Sequence, residues 1–268
     1  MHDGFVDIHC HILPGIDDGS PDWDTTLSMA RMAVADGTRT VIVTPHQLGN
    51  FSQNRGDSIR LLTGQLQQVL QEHSIPLAVL PGGDVRIEDR MVELLETGEV
   101  LSLGDKRKHV LLELPHELYF PLEGVLAELN RRGMCGILSH PERNQGILRK
   151  PEILAPLVNA GCLMQVTAGS LMGTFGPKSQ QLAEWMLSQG FVHFVASDAH
   201  GIKTRRPLMK RAFDRVATFA DRATAIDLCT INPALVARGE SVLAGQRKLP
   251  RRGWKKFLSK RKAEECAA

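Results

Sequence analysis

Seven short β-rich runs, separated by stretches of helical spacing, constrain the fold of this chain more than any other feature. They cover residues 5–8, 40–44, 77–80, 110–114, 136–139, 162–166 and 192–196. Between them, apolar residues recur at intervals of three and four, the mark of amphipathic helices. In Trp23–Asp36 that rhythm falls on Leu27, Ala30 and Val34. Ser20 and Asp22 are candidate N-caps for this helix, and Gly37 is its candidate stop. Further helices are expected over 58–73, 122–132, 151–160, 179–189 and 207–220. Strand–helix alternation of this kind builds a parallel sheet, and a barrel is its natural closed form. The third unit is irregular, because residues 88–96 read as a short helix directly after "PGGDVRI". One domain is expected over 1–246, with no internal repeat.

In a parallel barrel the functional side chains sit where strands run into loops. Those points are loaded here. "DIHCHILPGIDDGS" ends the first run with Asp7, His9 and His11, followed by Asp17 and Asp18. "TPH" supplies His46, "GGD" Asp84, "LLELP" Glu113, "ILSHPERN" His140, Glu142 and Arg143, and "ASDAH" Asp198 and His200. Six of the seven runs therefore finish on His, Asp or Glu. Spacing by two puts both members of His9/His11 and of Asp198/His200 on one side of an extended segment. Alternation turns Cys10, between the first pair, into the core. The other five histidines, 2, 73, 109, 116 and 193, sit at the terminus, on a helix, in loops or at a strand start. They read as structural or surface residues.

The candidate ligands are His9, His11, Asp18, His46, Asp84, Glu113, His140, Asp198 and His200. A single zinc-like site needs about four ligands. Nine, none of them cysteine, point to two or three ions sharing a carboxylate. Mixed imidazole and carboxylate suits Mn²⁺, Fe²⁺ or Zn²⁺. Such clusters serve hydrolysis, above all in-line displacement at phosphorus. Arg143 and Arg206 stand in the loops where phosphate oxygens would need a cation, and Arg205 is a weaker candidate. A cysteine-dependent phosphatase is excluded, since Ile16 and Pro141 stand where Cys10 and Cys135 would require an arginine six residues on.

Composition sets the remaining bounds. A hydrophobic fraction of 43% supports a sizeable core. No apolar run reaches the roughly 18 residues of a membrane span, and the N-terminus lacks the pattern of a signal peptide. Five cysteines without a CxxC pair fit reduced thiols in a cytoplasm. The net charge of +2 divides unevenly, with nine Lys/Arg against two Glu in residues 247–268. That tail, with Trp254 and Phe257 among its cations, suits an anionic membrane surface at the inner face, or an acidic partner. Nucleic acid is not the expected partner. The long polar loop 46–57 and the glycine-rich loop 167–179 should border the site.

Taken in order, these motifs resemble the PHP (polymerase and histidinol phosphatase) superfamily over about residues 5–240. Within it, "HCHILPGIDDG" is similar to the metal-dependent protein-tyrosine phosphatases of bacterial capsule and exopolysaccharide operons, the CpsB/CapC type. The resemblance implies an α/β fold, a distorted seven-stranded TIM-like (β/α) barrel. It implies a three-metal centre, usually with manganese, and phosphate-binding roles for Arg143 and Arg206. It assigns His9, His11 and Asp198 to one metal, Glu113 and His140 to a second, and Asp18, His46 and His200 to a third. The bridging carboxylate falls at Asp84, where this family typically carries the longer Glu. The implied activity is hydrolysis of phosphotyrosine in proteins, on a bacterial tyrosine kinase of polysaccharide export, with no phospho-enzyme intermediate. The alternatives are a small-molecule phosphatase such as histidinol phosphatase, a phosphodiesterase, or a metal-free adaptor that binds the kinase through its tail. A metallo-amidohydrolase shares the HxH start, but the arginines and Glu113 fit phosphate better.

Overall fold

The computed structural model describes residues 4–247. Among the described residues, nine strands form two all-parallel sheets. They are β1 (Phe5–Cys10), β2 (Thr38–Val43), β3 (His46–Gln47), β4 (Ala78–Leu80), β5 (Asp84–Arg86), β6 (His109–Glu113), β7 (Cys135–Ser139), β8 (Leu163–Thr167) and β9 (Phe194–Ala196). One sheet has the order β1-β2-β4 and the other β3-β5-β6-β7-β8-β9. The predicted parallel α/β arrangement is therefore present. Nine strands replace the seven runs for a local reason: Thr44–Pro45 separates β2 from β3, and Pro81-Gly82-Gly83 separates β4 from β5. Proline removes a ladder donor and glycine bends the chain. A Cβ on Gly83 would lie 2.3 Å from Gln47 Oε1, so the close packing of that side chain favours glycine there.

The helix Trp23–Asp36 has the predicted bounds. Asp22 caps it, accepting from Thr25 N at 2.8 Å. Ser20 does not; its hydroxyl donates to Asp22 O and pairs with Thr26. Gly37 closes the helix at φ 106°, in the left-handed region. Short helices also occupy Gln145–Arg149, Ala168–Leu171, Arg222–Ile226 and Asn232–Arg238. The stretch 167–179 is thus only partly loop.

Alternation along the strands sorts their side chains. Ile8, Ile42, Leu111, Ile137, Leu163, Phe194 and Ala196, from six strands, pack into one buried cluster. Their neighbours Val110, Leu112, Leu138, Met164 and Val195 face the covering helices instead. One step further along, the inner row turns polar at Glu113, Ser139, Gln165 and Asp198. Strand β1 shifts phase: between the pairs Asp7–Val41 and Cys10–Val43, two residues of β1 stand against one of β2. Such a bulge re-aims side chains. It lets Ile8 serve the inner cluster while His9 and His11 join the polar row, and Cys10 packs outward at 0% exposure.

The described chain ends behind the sheet. Arg247 N donates to Gly190 O at 2.8 Å, and His193 Nε2 meets Gly245 O at 3.1 Å. His193 Nδ1 accepts from Met164 N, also at 3.1 Å. Burial pushes this imidazole down to about 4. Unfolded, a histidine titrates near 6.5, so below that pH the unfolded chain binds the extra proton and stability falls with it. The contribution is whole above about pH 6.5 and is lost towards pH 4, up to about 3 kcal/mol. Urea unfolding at pH 7 and pH 5 checks this. The chain should lose more stability on acidification than His193→Asn does, and equal losses would refute it.

Candidate metal centre

All nine ligand candidates meet at the C-terminal ends of the strands. Their donor atoms fall into four groups, within each of which the atoms lie no more than 4.8 Å apart. The groups are His11, Asp18, His46 and His200; His9, His11 and Asp84; His9, His140 and Asp198; and His46, Asp84 and Glu113. Asp18, His46 and His200 gather as the resemblance implies. The implied set of His9, His11 and Asp198 also meets, with Nε2–Nε2 at 3.1 Å and Asp198 Oδ1 at 3.3 Å and 3.6 Å from the two imidazoles; His140 groups with His9 and Asp198, and Glu113 with His46 and Asp84.

Local structure holds these side chains in place. Asp17 Oδ2 meets His11 Nδ1 at 2.7 Å and His46 N at 3.1 Å. Gln165 Oε1 meets His9 Nδ1 at 2.9 Å. With their Nδ1 atoms engaged, His9 and His11 turn their Nε2 atoms toward each other at 3.1 Å. Outer partners of this kind fix the tautomer of ligating imidazoles. The loop carrying Asp17 and Asp18 folds back because Gly19 permits it; a Cβ there would lie 2.2 Å from His11 O. Asp7, buried and away from the cluster, accepts from Ser197 N at 2.9 Å and so ties β1 to the end of β9. His140 (φ 33°) and Asp198 (φ 51°) both lie in the left-handed region. Asp and His are among the non-glycine residues that most often adopt it, and strain of this sort gathers at functional sites.

The electrostatics fit a cation centre. Asp84 is fully buried, yet neither carboxylate oxygen accepts a hydrogen bond among the described residues. Its nearest partners are His46 Nδ1 at 3.4 Å and His9 Nε2 at 3.5 Å. A buried carboxylate without donors is costly unless a cation compensates it. Burial disfavours a charged His9, but Asp198 and Asp84 prevail and raise it to about 9. Burial likewise opposes charge on His46, while Asp18 and Asp84 carry it to about 11. Burial, then the charge of His200, pushes His11 down to about 3. Burial and Arg143 hold His140 low. Burial, then Asp84, pushes Glu113 up to about 7. Protons thus stand in for cations at His9 and His46, and a bound metal would displace them. Imidazole and carboxylate without thiolate match a borderline or hard divalent ion.

A cavity of about 230 Å³ opens above the cluster, bordered by Asp18, His46, Glu113, His140, Arg143 and Arg205. Both arginines pair with the Asp198 carboxylate, Arg143 through Nη1 and Arg205 through Nη2. Arg143 also lies 4.1 Å above the ring of Phe175, from the loop that follows β8. The cavity takes Arg143 together with Arg205 rather than the expected Arg206. Arg206 is exposed and does not line the cavity, whereas Arg205 does. His116, read from sequence as an ordinary loop residue, also lines it. Both loops expected at the site are there, the first through Phe51, which stacks on His46 at 5.3 Å.

Comparison with known proteins gives a consistent set of relatives. A profile of the capsular polysaccharide synthesis CpsB/CapC family matches residues 5–238. The tyrosine-protein phosphatase YwqE of Bacillus subtilis is 40% identical over 202 residues, 75% of this chain and 79% of YwqE. The tyrosine-protein phosphatase CpsB of Streptococcus pneumoniae is 25% identical over 233 residues, 85% of this chain and 96% of CpsB. A crystal structure from work on those two proteins, described as unique metal-dependent tyrosine phosphatases, superposes with a TM-score of 0.86 at 34% identity. The match covers 92% of this chain and 100% of that one.

Proposed function

Because this chain belongs to the CpsB/CapC family of capsular polysaccharide synthesis, we propose that it is a metal-dependent tyrosine-protein phosphatase. One observation carries the reading: a nine-ligand cluster floors a cavity whose rim bears two arginines anchored on one of those ligands. His11, Asp18, His46 and His200 would hold one metal, and His9, His140 and Asp198 a second. Asp84 and Glu113, with His46, would complete a third site. Bound there, divalent metals supply an activated water and charge neutralisation for in-line displacement at phosphorus.

The protein's own groups do the rest. Arg143 and Arg205 grip the phosphoryl oxygens, and Asp198 aims both guanidiniums at the cavity. Phe175 keeps Arg143 flat. Asp17 and Gln165 hold His11 and His9 in the tautomer that presents Nε2. A tyrosine phenolate, with a solution pKa of about 10, leaves more readily than an alkoxide and needs less help from an acid.

Manganese is the proposed ion, with Fe²⁺ and Zn²⁺ compatible with the same donors. The proposed substrate is a phosphorylated bacterial tyrosine kinase of the capsule machinery; the family's description supports the capsule setting, and its relatives' names support a phosphotyrosine protein. A cytoplasmic location is supported by four free cysteines among the described residues, and no described helix is long and apolar enough to cross a membrane. We read the two sheets as one distorted seven-stranded barrel. Support comes from His11 N donating to Ala199 O at 2.9 Å and Asp198 N to His9 O at 2.7 Å, which join β1 to the end of β9. The unit would span 1–246. Of the proposed membrane-binding tail, 247–268, all but Arg247 lies outside the described residues.

Phosphate release from a phosphotyrosine peptide by metal-stripped protein, with Mn²⁺ added back, tests the reading beside histidinol phosphate and His140→Ala. Mn²⁺-dependent release from the peptide, lost in the variant, is expected. Release from histidinol phosphate alone would move the chain to the small-molecule alternative.

A further inference from the structure

A second cavity, of about 150 Å³, opens beside the first; His46, Phe51, Arg86 and Glu113 are among its walls. His46 and Glu113 belong to both cavities and separate them. Strand β5 explains how Arg86 comes to be there. Asp84 and Arg86 are two apart and share a face. Asp84 lies within the cluster, and Arg86, in register with Glu113, is the next rung toward the rim.

The guanidinium is only partly committed. Its Nη1 donates to Glu113 Oε2 and to Leu114 O, each at 3.2 Å. Among the described residues, Nε and Nη2 donate to nothing, and the side chain is 33% exposed. Gly49 packs over the aliphatic stem and leaves the head open; a Cβ there would lie 3.2 Å from Arg86 Cγ. Phe51, lying 20° from parallel with His46, forms the apolar wall. Two acidic groups stand near. Glu88 accepts from Gly49 N at 3.2 Å, and Glu113 belongs to a ligand group. Once Glu113 serves a cation, Arg86 carries charge without an equal counter-ion.

Nε and Nη2 lie on one edge of a guanidinium, a fork that matches the two oxygens of a carboxylate. We propose that this cavity receives an acidic side chain flanking the phosphotyrosine, and that Arg86 is the residue that reads it. The inference rests on the phosphotyrosine reading and adds the sequence context that the enzyme prefers.

The test is kcat/KM for two phosphotyrosine peptides, identical except for Glu or Gln on both sides of the phosphotyrosine. The Mn²⁺-loaded enzyme should prefer the Glu peptide by about ten-fold, equivalent to one charge-assisted hydrogen bond at a partly exposed site. In Arg86→Gln the ratio should fall to near one, mainly through KM. Each ratio is taken within one enzyme, so any general loss of metal in the variant cancels. Equal rates for the two peptides, or a preference that survives in Arg86→Gln, would overturn the inference and leave the phosphatase reading standing. Absence of Mn²⁺-dependent turnover of either peptide would overturn the phosphatase reading itself.

Discussion

Asp198→Asn is expected to lower kcat/KM for a phosphotyrosine peptide by at least about a thousand-fold, more than the loss of one transition-state hydrogen-bond donor costs. Three roles converge on this carboxylate. It shares a ligand group with His9 and His140, it accepts from Arg143, and it accepts from Arg205. Asparagine keeps the shape and tolerates the left-handed backbone that residue 198 adopts at φ 51°. The fold should survive while the charge is lost. Metal content per chain, measured beside kcat/KM, should fall with the rate. Near-normal turnover with a full metal complement would refute the assignment. Residues that act as a unit are not additive, so Asp198→Asn with Arg143→Ala should cost less than the sum of the two.

The arginines give the second large effect. Arg143→Ala and Arg205→Ala should each cost about a hundred-fold or more in kcat/KM, the scale of removing one preorganised donor to developing charge. Arg206→Ala should stay within about two-fold, as expected for an exposed residue away from special features. Lysine at position 143 should restore little, because it lacks the planar fork and cannot stack on Phe175 in the same way. Steady-state kinetics on the three alanine variants decides the matter. Loss of activity in Arg206→Ala with Arg205→Ala intact would reverse the roles given to this pair.

That pair also marks where the sequence stops being legible. Both arginines follow His200 closely, and spacing favours neither. The choice is made by the backbone: Arg205 takes φ 46°, and its carbonyl accepts from His200 N at 2.9 Å. The loop therefore curls back and returns Arg205 to Asp198. The nine ligand candidates were legible because strand ends are marked by a change from apolar to ionisable residues. Gln165 was not, because it is neutral, stands within a strand, and meets His9 across 156 positions of chain. Asp17 could not be told from Asp18, since which of two adjacent aspartates faces His11 depends on the turn that Gly19 allows. The parallel fold could be read from alternation, but the breaks at Pro45 and Pro81 could not be placed in two sheets. The phase shift in β1 was hidden too, because it exists only in the pairing with β2.

The fastening of Arg247 to Gly190 decides which way the molecule faces. Gly190 and His193 precede β9, while Asp198 and His200 follow it. The three residues of that strand span roughly 10 Å. The last described residue is therefore pinned at the rear of the sheet, with the cavity at the front. A protein held by that end presents its mouth outward, away from whatever holds it. Coupled to a bead or a sensor surface through Arg247, it would remain open to substrates as bulky as a folded protein.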